Sequence, residues 1–342
     1  MTIEQIKDKL KSKEYDFLRT DKNLGDNIII LTLGGSHAYG TNNEGSDLDI
    51  RGCALNSKMQ ILTNENFEQF VNNETDTTIY AFNKLVALLS NTNPNTIEML
   101  GNKPEHYFYV SPIGQELIDN AHLFLSKRAC HSFGGYANQQ LYRLNQKAAH
   151  QMSQSELEKH ILKTLEFMQT DFTKKYTPYS DDSMKLYIDK AVQEGYDTEI
   201  FMDVNLTHYP LRDYCSMWNE LQNTVRQYGK IGKRNEKAIE HGKIAKHSMH
   251  LIRLYMMCLD ILEKERIITY REDEHNLLMD IRNGKYLDSN DQPIPEFFEM
   301  VNDYEKRLDY AKKNTNLPDN PNYKAINEFV ASVNERVVKG EI

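Results

Sequence analysis

The chain has 342 residues, a net charge of −9 and a mean hydropathy of −0.66. This length is sufficient for two domains with a sizeable core, and no stretch approaches the ~20 apolar residues of a membrane span. Proteins that coat long nucleic acids carry a basic surplus, so the acidic balance excludes that class and leaves RNA only a local basic patch or a chain end.

The cysteines and the N-terminus indicate the cellular compartment. Four cysteines are far apart and form no CxxC pair, which argues against a zinc site and against a disulfide framework. The first ten residues have apolar positions at helical spacing but lack the apolar core of a signal peptide. We therefore expect a cytoplasmic protein that does not bind membranes.

A glycine-rich turn between a predicted strand and an acidic pair is the most informative stretch. The β-branched run at 28–33 predicts a buried strand, which leads into Gly34–Ser36. Glycine permits a sharp turn and a close approach to a ligand, and Ser36 is predicted to N-cap the next helix, whose free amides suit a phosphate. Ten residues separate Ser36 from Asp47. In a strand, Asp47 and Asp49 would share one face, and their mutual repulsion is relieved by an oxygen-loving cation such as Mg²⁺.

The rest of the chain contains further predicted strands and many predicted helices. Residues 56–75 are polar and predict loops around a short helix, whereas 76–80 and 107–110 contain strand formers. Alternating apolar residues at 200–206 predict one further strand. Helical periodicity is present from residue 82, from residue 111 and at 133–144, 156–167, 213–228, 236–265 and 323–338.

The string GGSHAYGTNNEGSDLDIRG at 34–52 resembles the signature of the DNA polymerase beta nucleotidyltransferase superfamily. It is closer still to the branch associated with bacterial and phage RNA repair. The stretches 93–100, 133–137 and 246–254 are similar to that branch too. The resemblance implies an α/β (α+β) fold. A small polymerase-beta-type palm with a mixed sheet of four to five strands would occupy 1–125, and a second, all-helical domain would occupy 126–342 and complete the cleft for nucleotide and acceptor.

The resemblance also implies an activity. It predicts metal-dependent transfer of a nucleotidyl group from an NTP, expected to be ATP, to a hydroxyl of an RNA end, with release of pyrophosphate. Two Mg²⁺ or Mn²⁺ ions, about 3.5–4 Å apart, would clamp the attacking and leaving oxygens. Asp47 and Asp49 would hold them. The third carboxylate, which can also act as the base, is assigned to Asp76 at the head of a strand, with Glu74 as the alternative.

The same resemblance assigns the nucleotide site and leaves other functions open. Gly35 and Ser36 would hold the β- and γ-phosphates, and His37 would either contact phosphate or brace the turn. A protein or small-molecule hydroxyl is an alternative acceptor. A non-catalytic nucleotide sensor is the alternative outside enzymes, although the intact pair Asp47 and Asp49 argues against it.

A basic line on one predicted helix is the second candidate for nucleotide binding. Lys246, His250 and Arg253 stand at i, i+4 and i+7 and share a face. Since the resemblance covers these residues, we favour a triphosphate clamp. The alternative is a solvated stripe paired with Glu240 or Asp260.

Two further features carry weaker predictions. The run that contains Lys230, Lys233, Arg234 and Lys237 lies among glycines. It predicts a loop that contacts phosphates of RNA or nucleotide, or an ordinary exposed loop. Glu98 matches the branch pattern and is predicted to take part in the site or only to cap or brace its helix.

Overall fold

The computed structural model describes residues 1–134, 136–137, a few positions between 163 and 176, and residues 180, 182–190, 192, 198–228, 243–289 and 293–342. Two compact units are distinguished. The first contains 1–142, 244–289 and 293–342, and the second contains 143–243 with 290–292. The predicted boundary at residue 125 does not coincide with this division, since the C-terminal helices belong to the unit that contains the five-stranded sheet.

A mixed five-stranded sheet forms the framework of the first unit. Its strands are β1 (Ile28–Leu33), β2 (Ile50–Ala54), β3 (Gln69–Asn72), β4 (Thr77–Ala81) and β5 (Tyr107–Val110), in the order β3-β4-β2-β1-β5. Only β2 and β4 run parallel; β1 pairs antiparallel with β2 and β5, and β3 pairs antiparallel with β4. The predicted palm sheet of four to five strands is confirmed.

Helices surround this sheet and continue to the C-terminus. In the first unit they are α1 (Ile3–Leu10), α2 (Phe17–Thr20), α3 (Gly35–Tyr39), α4 (Lys58–Leu62), α5 (Phe82–Ser90), α6 (Pro94–Ile97) and α7 (Pro112–Asp119). After α8 (Leu211–Tyr228) of the second unit come α9 (Lys243–Lys264), α10 (His275–Arg282), α11 (Pro295–Asn314) and α12 (Tyr323–Lys339). Pro94 stands in the first turn of α6, where an N–H would have no intrahelical acceptor, so the proline costs no hydrogen bond there. None of the described helices has the length and apolar character needed to cross a bilayer.

The β1 strand lies at the centre of the core. All six of its residues are buried, because one apolar cluster covers each face of the sheet. The first cluster includes apolar residues of α5, α7, α9 and α12, and the second includes those of α1. The close approach of α7 requires Gly114, since a Cβ there would lie 2.1 Å from the Ile29 carbonyl oxygen.

Two predictions about strands are wrong. Residues 56–75 contain the predicted short helix α4 but also β3, an edge strand whose alternate residues are exposed. Its polar flanks resemble a loop, and its pairing with β4 through a tight turn supplies the order. The second error concerns the second unit. The strand predicted from the alternation at 200–206 is present as β7 (Thr198–Val204), but its antiparallel partner β6 (Met184–Lys190) was not predicted. Residues 126–342 are therefore not all-helical.

Candidate active site

The turn after β1 brings the main chain against an acidic side chain. Gly34 is the N-cap of α3, so the prediction that Ser36 caps this helix is wrong, and Ser36 lies within the first turn. Gly35 has φ +57°, and a Cβ built on it would lie 1.8 Å from Asp49 Oδ2. The Gly34 N–H donates to the Asp49 carbonyl oxygen at 2.9 Å. Only glycine fits at Gly35, because both its backbone conformation and the adjacent carboxylate exclude a side chain.

The parallel pairing of β2 with β4 places two acids side by side. Ile50 is in register with Thr77, and the Ile50 N–H donates to the Asp76 carbonyl oxygen at 3.1 Å. Asp49 and Asp76 immediately precede these two residues and thus lie at the same edge of the sheet. Glu74 lies exposed in the turn between β3 and β4, so this register favours Asp76 as the third carboxylate.

Arg51 bridges these two carboxylates. Its Nη2 donates to Asp49 Oδ1 at 3.0 Å and to Asp76 Oδ1 at 3.2 Å. Burial raises the pKa of Asp49 to about 7, with a further contribution from the hydrogen-bonded carboxyl of Asp76, whereas the charge of Arg51 lowers it. Removal from water is thus the main reason why the charged form of Asp49 is disfavoured at this edge.

Asp47 differs from its partner in exposure. The predicted strand begins only at Ile50, so Asp47 and Asp49 lie in the segment before β2. The chain that would pair with this segment has already left β1 and entered α3, so no strand forms there. Leu48 between them is buried, whereas Asp47 is exposed and Asp49 is partly buried. Alternation therefore persists across the pair although the segment is not a strand.

The donor types suit a hard cation. Asp47, Asp49 and Asp76 supply only carboxylate oxygens, which Mg²⁺ and Mn²⁺ accept, and a bound cation would favour the charged form of Asp49 that burial disfavours. Within the described part of the chain, no group of three or more His, Cys, Asp or Glu side chains is arranged as a metal site. The residues fit a divalent ion in their chemistry, while Arg51 is the countercharge in this structure.

A buried network lies under α3. The Tyr39 hydroxyl donates to Glu98, whose two carboxylate oxygens are 2.8 and 2.9 Å away. Arg253, only 4% exposed, donates to Glu98 Oε2 at 3.3 Å, and its guanidinium carbon lies 3.6 Å from the centre of the Tyr39 ring. Burial raises the pKa of Glu98, and the charge of Arg253 opposes this. Glu98 thus braces the α3 turn from the core.

The basic face of α9 changes from exposed to buried along the helix. Lys246 is exposed and His250 is half-buried with its ring edge towards Tyr39, while Arg253 is enclosed by Glu98 and Tyr39. Burial lowers the pKa of His250 well below its usual value, and the positive charges of Arg253 and Lys246 lower it further. Binding of a triphosphate by these residues stays a prediction; the contacts of Arg253 are those of a brace.

The alternative prediction is that the basic face of α9 pairs with Glu240 or Asp260. Asp260 pairs with Lys264 at 2.8 Å and with Arg271 at 2.5 Å, and not with the predicted face. Glu240 lies outside the described residues. The basic run with Lys230, Lys233, Arg234 and Lys237 also lies outside them, so its role stays a prediction.

Two cations were not predicted from the sequence: Arg51, which bridges the two acids, and Arg282. Arg282, the last residue of α10, donates from Nη2 to Ser46 Oγ at 3.1 Å, in the loop that joins α3 to Asp47. His37 also bonds to Ser46, through the main chain, and burial and the charge of Arg282 both lower its pKa. No signal near residue 282 indicated this, since the contact joins residues 236 positions apart.

Comparison with known proteins identifies a family for the chain. No curated protein and no solved structure is significantly similar to the chain. The family model of RlaP, described as the RNA repair pathway DNA polymerase beta family, matches residues 4–332 and thus includes the turn at Gly35, both acids Asp49 and Asp76, and the helices α9 and α10. The chain belongs to the RNA repair pathway DNA polymerase beta family.

Proposed function

We propose that the chain transfers a nucleotidyl group from an NTP to a hydroxyl at an RNA end and releases pyrophosphate. The observation that carries this proposal is the placement of Asp49 and Asp76 side by side at one edge of the sheet, with Asp49 directly against Gly35. Membership of a polymerase-beta-type family supports nucleotidyl transfer, and the RNA repair description supports RNA as the acceptor.

The reaction is a single displacement at the α-phosphorus. The acceptor oxygen forms a bond to the α-phosphorus, the bond from that phosphorus to the bridging oxygen breaks, and pyrophosphate leaves. The hydroxyl proton passes to the carboxylate of Asp76, whose side chain is 55% exposed and therefore open to an acceptor. Asp49 is less exposed, and its position is set by Gly34 and Gly35.

The remaining residues position the nucleotide. The first amides of α3, at Gly35, Ser36 and His37, have no intrahelical acceptor and suit the terminal phosphates. Lys246 adds a positive charge on α9, and the lowered pKa of His250 keeps the neighbouring ring neutral near pH 7. Mg²⁺ or Mn²⁺ held by Asp47, Asp49 and Asp76 would neutralise charge on the phosphates and the leaving group.

The test is transfer of label from each α-³²P-NTP to RNA with a free 3′-hydroxyl, in Mg²⁺ or Mn²⁺. RNA blocked by a 3′-phosphate, total protein and a panel of small-molecule hydroxyls serve as competing acceptors. Asp49→Asn and Asp76→Asn should each lower the transfer rate by at least ~10³-fold, comparable to the loss of a principal electrostatic stabiliser. Asp26→Asn is the matched control, because Asp26 is exposed and precedes β1 at the end remote from Gly35.

The outcomes separate the alternatives. Label on RNA that requires both Asp49 and Asp76 supports the proposal. Label on protein or on a small molecule, but not on RNA, would assign the other acceptor. Tight NTP binding without transfer to any acceptor would indicate the nucleotide sensor.

A further inference from the structure

Arg282 is a cation of the site that the proposed reaction has not used. It ends α10, and its Nη2 donates to Ser46 Oγ at 3.1 Å. Its other terminal nitrogen, Nη1, is buried and has no hydrogen-bond partner among the described residues. No ion pair within the described part of the chain includes Arg282. A buried guanidinium nitrogen without an acceptor is uncommon and calls for a partner.

His37, on α3, also has a buried nitrogen without a hydrogen-bond partner among the described residues. Its side chain is only 7% exposed, and Nε2 is buried without a partner in the described ranges. The ring also bonds to the main chain of Ser46, the residue to which Arg282 donates. Two buried nitrogens without partners, one on α3 and one on α10, are thus anchored through Ser46.

The surroundings of these two nitrogens are positive. The charge of Arg282 acts on both His37 and His250, and Lys246 acts on His250 as well. An anion beside Arg282 would accept a hydrogen bond from Nη1 and offset the repulsion between these groups. The acids Asp49 and Asp76 lie at the edge of the sheet instead, where the α-phosphorus would react.

We infer that Arg282, together with His37, binds the β/γ-phosphate end of the nucleotide. This inference rests on the proposed function, because the carboxylates define which end of the nucleotide reacts. The terminal phosphates carry most of the charge of an NTP, and the guanidinium of Arg282 beside Ser46 provides a matching countercharge. Arg282 thereby gives α10 a direct part in nucleotide selection, favouring triphosphates over monophosphates.

A purely structural role predicts different behaviour. In that case Arg282 would only fasten the loop at Ser46, where Asn43 and Ser46 already bond to each other. Ser46→Ala removes this bond and leaves the guanidinium charge, whereas Arg282→Gln removes the charge and leaves a shorter side chain that can still donate a hydrogen bond. Lys324→Ala is the charge control, since Lys324 is highly exposed on α12.

The experiment measures equilibrium binding of ATP, AMP, inorganic triphosphate and a short RNA to the full chain, with Ca²⁺ in place of Mg²⁺. Arg282→Ala and Arg282→Gln should lose roughly 10- to 100-fold in affinity for ATP and for triphosphate, the effect of one charge-assisted hydrogen bond. Affinity for AMP should change less than twofold. Ser46→Ala should lose less affinity for ATP than Arg282→Ala, because the guanidinium charge remains. Lys324→Ala should stay within threefold of wild type for every ligand, and thermal melts verify folding.

The other outcomes overturn the inference in distinguishable ways. Equal losses for ATP and AMP, or a loss for RNA alone, would assign Arg282 to another phosphate. A loss in Ser46→Ala that matches Arg282→Ala, with Arg282→Gln unaffected, would establish the structural role. If wild type transfers nucleotide and no variant changes ATP affinity, only this inference fails. If wild type binds neither ATP nor triphosphate, the proposed function fails with it.

Discussion

Gly35→Ala tests whether contact between the turn and the acidic edge is required for activity. The new Cβ would lie 1.8 Å from Asp49 Oδ2, and an ordinary contact begins at 3.4 Å, so the two groups must separate by about 1.6 Å. A misplacement of ~1 Å at a reacting centre can lower a rate ~10²-fold, so we expect at least that loss of transfer. The positive φ adds about 1–2 kcal/mol of destabilisation.

Two other glycines separate these effects. Gly340 has φ +73° with nothing within 4 Å of a built Cβ, so Gly340→Ala should lose stability without losing activity. Gly45 lies in the loop before Asp47 with its nearest neighbour at 3.9 Å, so Gly45→Ala should leave the transfer rate within threefold. The assay is label transfer together with urea denaturation of each variant. A Gly35→Ala protein with at least a third of wild-type activity would refute the argument.

Three further predictions concern the acids, the buried arginine and a histidine. Asp76→Asn should abolish transfer while Glu74→Gln retains it, and the reverse result would move the third carboxylate by two residues. Arg253→Met should destabilise the fold by about 3–5 kcal/mol in urea denaturation, because it leaves a buried carboxylate unpaired, whereas Arg307→Met, at an exposed pair, should cost about 0–1 kcal/mol. The pKa of His250 is lowered on folding, so the folded state binds fewer protons, and stability should fall as pH drops from 7.5 to 5.5. His250→Gln should reduce that slope, by at most about 1.4 kcal/mol per pH unit, and an unchanged slope would contradict the assignment.

The local part of the site was predictable because its residues are close in the chain. The strand β1, the turn at Gly35 and the acid at Asp49 all follow from a stretch of about 25 residues with a specific spacing. Asp76 was predictable as the head of a strand, although only the parallel register of β2 with β4 shows that it lies beside Asp49. Residue type and spacing were therefore sufficient to propose these acids as candidates, but not to show which of them lie side by side.

The parts that depend on distant pairing were not predictable. Arg282 reaches Ser46 across 236 positions, and Glu98 meets Arg253 across 155. Helical periodicity correctly placed Arg253 on a basic face, yet it could not show that this end of the face is enclosed by a carboxylate and a ring. The strand β3 was missed for a related reason, since an exposed edge strand is ordered by its neighbour rather than by its own apolar pattern.

The α3 turn contacts the acidic edge of the sheet on one side and a buried ion pair on the other. The second contact links the turn to helix α9. On one side Gly35 lies against Asp49, so the turn and the acidic edge move together. On the other side Tyr39 is fixed by Glu98 and by Arg253 of α9. A buried ion pair contributes little net stability, because the desolvation of both charges offsets their attraction, but it strongly disfavours arrangements in which either charge is left alone. The pair therefore specifies one position of α9 beneath the turn, and the turn proposed to bind phosphate is supported from the core only when that helix is in place.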